Sequence, residues 1–155
     1  MSSSFKQAIN LIREQASNDT ELGTAFEKLS KIFLEHDATQ KQQYSQVWYY
    51  EDWAKEREGY SNRDIGIDLV AKIRGEDSFC AIQCKCYESS HSISKADLDS
   101  FISASSTDDF TRLLLIDTST QSIGRNAQSV FENINKDYLR IQISELERSR
   151  IEWLT

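Results

Sequence analysis

Three side chains able to hold a cation and steady a phosphate fall close together near the middle of this chain: Asp68, Gln83 and Lys85. A carboxylate and an amide carbonyl are oxygen donors of the kind a hard divalent ion accepts. A lysine ammonium is a compact charge that can stabilise a developing oxyanion. Held together, the three could carry out metal-assisted hydrolysis of a phosphodiester. That chemistry needs a scaffold that puts all three on one surface.

The surrounding sequence predicts such a scaffold. Gly66 to Arg74 and Ser78 to Tyr87 read as the two strands of a β-hairpin joined around Gly75 and Glu76. Glycine in the first of two turn positions predicts a type II′ turn. Facing residues then have numbers summing to 151, so Val70 opposes Ala81 and Asp68 opposes Gln83. Side-chain alternation puts Asp68 and Val70 on one face with Ala81, Gln83 and Lys85, and Ile67, Leu69, Ala71 and Ile73 on the other with Cys80, Ile82 and Cys84. One face is apolar and the other carries the chemistry. A three-residue turn would shift the register by one and part the three groups. Gly66, across from Lys85 in this register, would leave room for a phosphate.

Helical periodicity predicts two amphipathic helices ahead of the hairpin, Phe5 to Ala16 and about Thr20 to Glu35, the second capped by Asn18 or Asp19. The stretch from Gln40 to Arg57 permits a helix, but Val47-Trp48-Tyr49-Tyr50 has strand composition and is read as a short strand. Beyond the hairpin, Ser94 and Asp97 form a capping-box pattern ahead of Leu98, Phe101 and Ile102. Phe110 to Asp117 is a strand apolar enough to be covered on both sides. Ile123 to Ile134 has helical spacing, and Tyr138 to Ile143 alternates as a strand. This order predicts an α/β fold with a mixed central sheet flanked by helices. Ile151-Glu152-Trp153-Leu154 reads as a terminal helix returning to the sheet, or as the edge of a longer protein.

The chain has 155 residues and a net charge of -7, with 25 acidic against 18 basic side chains. Such a charge argues against strong unaided binding to nucleic acid, because phosphate affinity comes largely from lysine and arginine. The length suits one domain spanning residues 1–155. Neither the amino terminus nor the aliphatic run Leu113 to Ile116 is suited to targeting or membrane crossing, so a cytoplasmic location without membrane contact is expected. Cys80, Cys84 and Cys86 share one strand face and are read as reduced packing residues. Neither His36 nor His91 completes a zinc pattern with them.

Gly66-Ile67-Asp68-Leu69-Val70-Ala71 followed by Ala81-Ile82-Gln83-Cys84-Lys85-Cys86-Tyr87 resembles the PD-(D/E)xK nuclease motif in its Gln-x-Lys form, as found in Mrr-like restriction endonucleases. Gly23-Thr24-Ala25-Phe26-Glu27 resembles the amino-terminal helix that carries a further acidic residue in that superfamily. Lys95 to Phe101, Leu114 to Thr120 and Asn126-Ala127 resemble the helix, strand and helix that come after the site. From about residue 20 to 154 the likeness is to the amino-terminal nuclease domain of single-polypeptide type I (type ISP) restriction-modification enzymes and related predicted helicases.

The resemblance implies a restriction-endonuclease-like fold and a Mg²⁺-dependent DNA endonuclease. Asp68 would be the principal metal ligand, Gln83 an amide ligand where many relatives have a carboxylate, and the main-chain carbonyl of Cys84 a third ligand. Glu27 would contribute through a metal-bound water, and Lys85 would stabilise the phosphate or orient the attacking water. The amide ligand implies weaker metal binding than in Glu-x-Lys relatives. Helicase or translocase, methyltransferase and target-recognition modules in the same polypeptide would be the partners, with DNA held weakly by this domain alone.

Other readings stand beside these. Asp68 and Lys85 could form a plain salt bridge, Glu27 could sit on a solvated helix face, and Asp64 suits a supporting or loop-capping role. Trp48, Tyr50 and Trp53 could stack on bases or belong to the core. The whole chain could instead be a self-contained Mrr-like type IV nuclease for modified DNA, or a nuclease fold kept as a non-catalytic scaffold. Intact Asp68, Gln83 and Lys85 on one face favour an enzyme.

Overall fold

The computed structural model describes residues 5–60, 66–87 and 90–149. Asp64 and the segment Ile151 to Leu154 lie outside them. Helices α1 (Phe5–Gln15), α2 (Asp19–His36) and the single turn α3 (Gln40–Gln43) lead into strand β1 (Tyr44–Tyr49) and a short helix α4 (Tyr50–Lys55). Strands β2 (Leu69–Ile73) and β3 (Phe79–Lys85) form the hairpin. Helix α5 (Lys95–Ala104), strand β4 (Phe110–Asp117), helix α6 (Arg125–Asn133), strand β5 (Asp137–Ile141) and helix α7 (Ile143–Arg148) complete the order.

The five strands lie in the order β1-β2-β3-β4-β5. Pairing is antiparallel from β1 to β3 and parallel from β3 to β5. The change of sense has a covalent reason. A tight turn can join only antiparallel neighbours, and each parallel step needs a crossover, here through α5 and α6. On one face of the sheet, Phe26, Leu29 and Phe33 of α2 pack with Phe5 and Ile9 of α1 and Leu146 of α7 over Leu69, Ala71, Cys80, Ile82 and Leu114. On the other, Tyr50 and Trp53 of α4, Leu98 and Phe101 of α5 and Phe131 of α6 cover Val70, Ala81, Leu113 and Leu115. β3 is buried along most of its length because both faces are covered.

The expected mixed sheet flanked by helices is the observed fold, and the hairpin register is the expected one: Val70 pairs with Ala81 and Leu69 with Ile82. The turn differs. The Glu76 N–H donates to the Ile73 carbonyl at 3.2 Å, and the Ile73 N–H donates to Ser78 at 3.1 Å. The connection therefore has four residues rather than two, with Gly75 at φ 84° in the third turn position, where a type II turn requires positive φ. Any even-numbered loop keeps the same pairing, so register survives while the turn type changes.

The expected strand in the Gln40 to Arg57 region is present as β1, with helical turns on either side. α4 brings Tyr50, Trp53 and Ala54 inward at helical spacing. Trp53 is 1 % and Tyr50 2 % exposed, and Trp48 meets Phe79 edge to face at 6.1 Å. These aromatics are packing residues, as the blander reading has it. Cys80 and Cys84 are buried free thiols in the α1/α2-side core, and Cys86 packs against it. Among the described residues no helix is long and apolar enough to cross a membrane.

Candidate active site

Pairing between β2 and β3 ends at Leu69, and the chain before it turns away. The cause is Gly66, whose φ of 103° lies where side chains are strained, and whose missing Cβ would stand 2.7 Å from the Ser100 carbonyl carbon of α5. Gly66 precedes the paired stretch of β2, and its bare Cα lets the α5 backbone approach while the residue lines the cleft that also holds Asp68 and Lys85. The expected position of Ile67 is corrected. Because regular alternation stops at Leu69, Ile67 packs with Val70 and Ala81 on the α4/α5 side instead of sharing the face of Leu69.

Asp68 is held at this opening. Its main-chain N–H donates to Ile82 at 2.9 Å and its carbonyl accepts from Tyr50 at 3.0 Å. Its carboxylate Oδ2 accepts from Gln83 Nε2 at 2.9 Å and from the Cys84 N–H at 2.8 Å. Gln83 is 6 % exposed, so the amide is fixed by its surroundings. With its N–H on Asp68, its carbonyl oxygen remains as the electron donor toward a cation. The Cys84 N–H points toward the β2 side, and in a strand the carbonyl of the same residue points the same way. That carbonyl is thus directed to where β2 has ended.

Helix α2 brings the remaining acid. Asn18 caps it, accepting from the Glu21 N–H at 2.9 Å, and Phe26, Leu29, Phe33 and Leu34 anchor its buried side. Glu27 sits half-buried at the edge of that side. Burial raises the Cys84 thiol well above its ordinary range, with Asp68 and then Glu27 adding to the rise. The two acids therefore act on the same strand position. Glu27, Asp68, Gln83, Cys84 and Lys85 line one cleft of ≈ 1090 Å³. A second cleft of ≈ 680 Å³ meets it at Glu27 and Asp68.

Carboxylate, amide and main-chain oxygens are donors that suit a hard divalent cation. Among the described residues no three His, Cys, Asp or Glu side chains cluster closely enough to hold a metal.

The cleft also has a wall that the sequence reading did not identify. The rings of Tyr87 and His91 stack with centroids 4.0 Å apart, and His91 Nε2 lies 3.1 Å from Asp97 Oδ2. The expected capping box is present: the Ser94 N–H donates to Asp97 at 2.8 Å and Asp97 N–H donates to Ser94 Oγ at 3.3 Å. Burial works to raise the Asp97 carboxyl, but the Ser94 and His91 contacts outweigh it and hold the group below its ordinary value. Burial, then the charge and hydrogen bond of Asp97, raise the Tyr87 hydroxyl. Only the Ser94–Asp97 spacing was legible in the sequence. Tyr87 and His91 meet through the fold.

Comparison with known proteins agrees with this architecture. A family model described as restriction endonuclease, of the Mrr catalytic type, matches residues 35–155. That span begins after Glu27, near the end of α2, and takes in every later element. No curated protein matches the chain. Among solved structures, the ATP-dependent type ISP restriction-modification enzyme LlaBIII bound to DNA is similar over 97 % of this chain, with 29 % identity and a TM-score of 0.75. The DNA modification-dependent restriction endonuclease AspBHI shares the fold over 91 % of the chain, with 15 % identity and a TM-score of 0.56. This chain spans 9 % of the matched LlaBIII chain and 33 % of the AspBHI chain.

Proposed function

Because the chain belongs to the Mrr-type restriction endonuclease family, we propose that it is a Mg²⁺-dependent DNA endonuclease domain whose centre is Asp68, Gln83, Lys85 and Glu27. The observation that carries the reading is their convergence on one cleft, with Asp68 fixed by Gln83 Nε2 and the Cys84 N–H. Asp68, the Gln83 carbonyl and the Cys84 carbonyl would hold the ion, and Glu27 would bind it through water. Bound there, magnesium supplies Lewis-acid polarisation of the phosphate and a more acidic water.

The chain's own groups do the rest. Gln83 keeps the Asp68 carboxylate in one orientation, so little reorganisation is needed when a cation arrives. Lys85, a half-buried cation on the same cleft, stabilises charge gathering on the phosphate oxygens. Family membership argues against a scaffold without activity. The context that suits the type ISP likeness is one nuclease module of 1–155 in a longer polypeptide that supplies translocation, methylation and target recognition. The chain's net charge of -7 suits a module that depends on such neighbours to hold DNA.

The test is nicking of supercoiled plasmid by the purified protein. Chelation of divalent ions should abolish it and added Mg²⁺ should restore it. Equal nicking in excess chelator would refute metal dependence.

A further inference from the structure

The wall formed by Tyr87 and His91 is more heavily built than a connecting segment requires. Thr118 Oγ1 accepts from the Tyr87 N–H at 2.7 Å and donates to the Tyr87 carbonyl at 2.6 Å. Ser119 Oγ donates to the His91 carbonyl, and Arg13 reaches across from α1 to the Tyr87 carbonyl at 2.9 Å. Asp117, Thr118 and Ser119, at the end of β4, are all 0 % exposed. The imidazole itself is fixed on one edge by Asp97 and on one face by Tyr87, yet its side chain stays 38 % exposed and lines the cleft with Lys85. The molecule thus holds an aromatic surface rigid beside the candidate centre.

We propose that the Tyr87–His91 stack is a subsite for a nucleobase of the strand being cut, and that this base is unpaired when bound. The inference rests on the nuclease reading and names the form of its substrate. Charge supports stacking over backbone tracking. Four carboxylates, Asp19, Glu27, Asp68 and Asp97, face the cleft against two permanent cations, Arg13 and Lys85. Phosphate contacts therefore supply little attraction, whereas stacking on an aromatic face is favourable for any base. A base inside a duplex has both faces covered by its neighbours, so only an unpaired or extruded base can stack on the wall.

The test measures binding rather than cleavage, so it reads the subsite even if nicking fails. Fluorescence anisotropy of the protein with labelled single-stranded and duplex oligonucleotides, in metal-free buffer, is compared for wild type, His91→Ala and His91→Phe. Thermal unfolding confirms that each variant is folded. The expected result is tighter binding of the single strand by wild type. His91→Ala should bind it roughly tenfold more weakly, the size of one lost base stack, with duplex binding unchanged. His91→Phe keeps a flat ring but not the Asp97 contact, and should stay within about twofold of wild type, given that stacking tolerates any π-face. The subsite is overturned by an unchanged His91→Ala, by equal losses in both variants, by equal loss on duplex, or by no single-strand preference in wild type. Metal-dependent plasmid nicking would stand in each of those cases.

Discussion

Two aspartates sit at the same end of the sheet and serve opposite ends. Asp117 closes β4 at 0 % exposure, gripped by Arg140 through Nε and Nη2 at 2.9 Å each. Asp68 precedes β2, half-buried at a cleft, and takes its hydrogen bonds from an amide and a main-chain N–H. A guanidinium that matches a carboxylate edge to edge satisfies its charge and fixes it in place. The neutral donors on Asp68 orient its carboxylate without the edge-to-edge charge match that a guanidinium gives. The contrast teaches that partner chemistry, beside burial, distinguishes the aspartate that holds the fold from the one we propose as a metal ligand.

The comparison breaks most readily at Asp117. Asp117→Ala strands a nearly buried guanidinium and should cost about 3–5 kcal/mol, as loss of one partner of a buried pair does. Asp68→Ala should cost less, about 1–2 kcal/mol, since it leaves only neutral donors without an acceptor. Urea denaturation of both variants decides this, and equal losses would erase the distinction. Next in size is Gly66→Ala, which drives a Cβ into the α5 backbone at positive φ and should destabilise by about 2–4 kcal/mol. The same titration reads it, and a change under about 1 kcal/mol would mean that α5 yields easily.

How much of this was legible in the sequence depends on range. The pairing of Asp68 with Gln83 comes from alternation and an even loop, so the register could be read though the turn could not. Ser94 and Asp97 lie three apart, and their capping box is a local pattern. Ile67 was placed on the wrong face because alternation holds only while a strand is paired, and nothing local announces that Gly66 meets Ser100 of α5. Arg140 and Asp117 are 23 residues apart on parallel strands, and Tyr87, His91 and Thr118 meet only once β4 lies beside β3. No periodicity encodes contacts of that kind.

Gln83 sharpens the comparison in the other direction. Gln83→Glu sets a second carboxylate against Asp68 in place of the donor now at 2.9 Å. The metal-free protein should lose about 1–3 kcal/mol of stability through that lost bond, while Mg²⁺ affinity, read by titration calorimetry, should rise on the order of tenfold as negative charge is added among the ligands. A variant gaining stability without gaining metal affinity would count against Gln83 as a ligand. The smallest effect concerns thiols. Burial pushes Cys80 up to about 12, and burial with Asp68 nearby raises Cys84. At pH 8 the folded protein should therefore react with a maleimide at Cys86 alone, and at all 3 cysteines in denaturant. Mass spectrometry counts the adducts. Rapid labelling of Cys84 in the folded protein would show that the floor of the site opens.

The most direct test of the proposed centre is the rate of supercoiled plasmid nicking in Mg²⁺ by wild type, Asp68→Ala and Lys85→Ala, each verified as folded. Both variants should lose at least about a hundredfold in rate, the scale expected when a group stabilising transition-state charge is removed. Cleavage retained at the wild-type rate in both would contradict the assignment of Asp68 and Lys85 as catalytic groups.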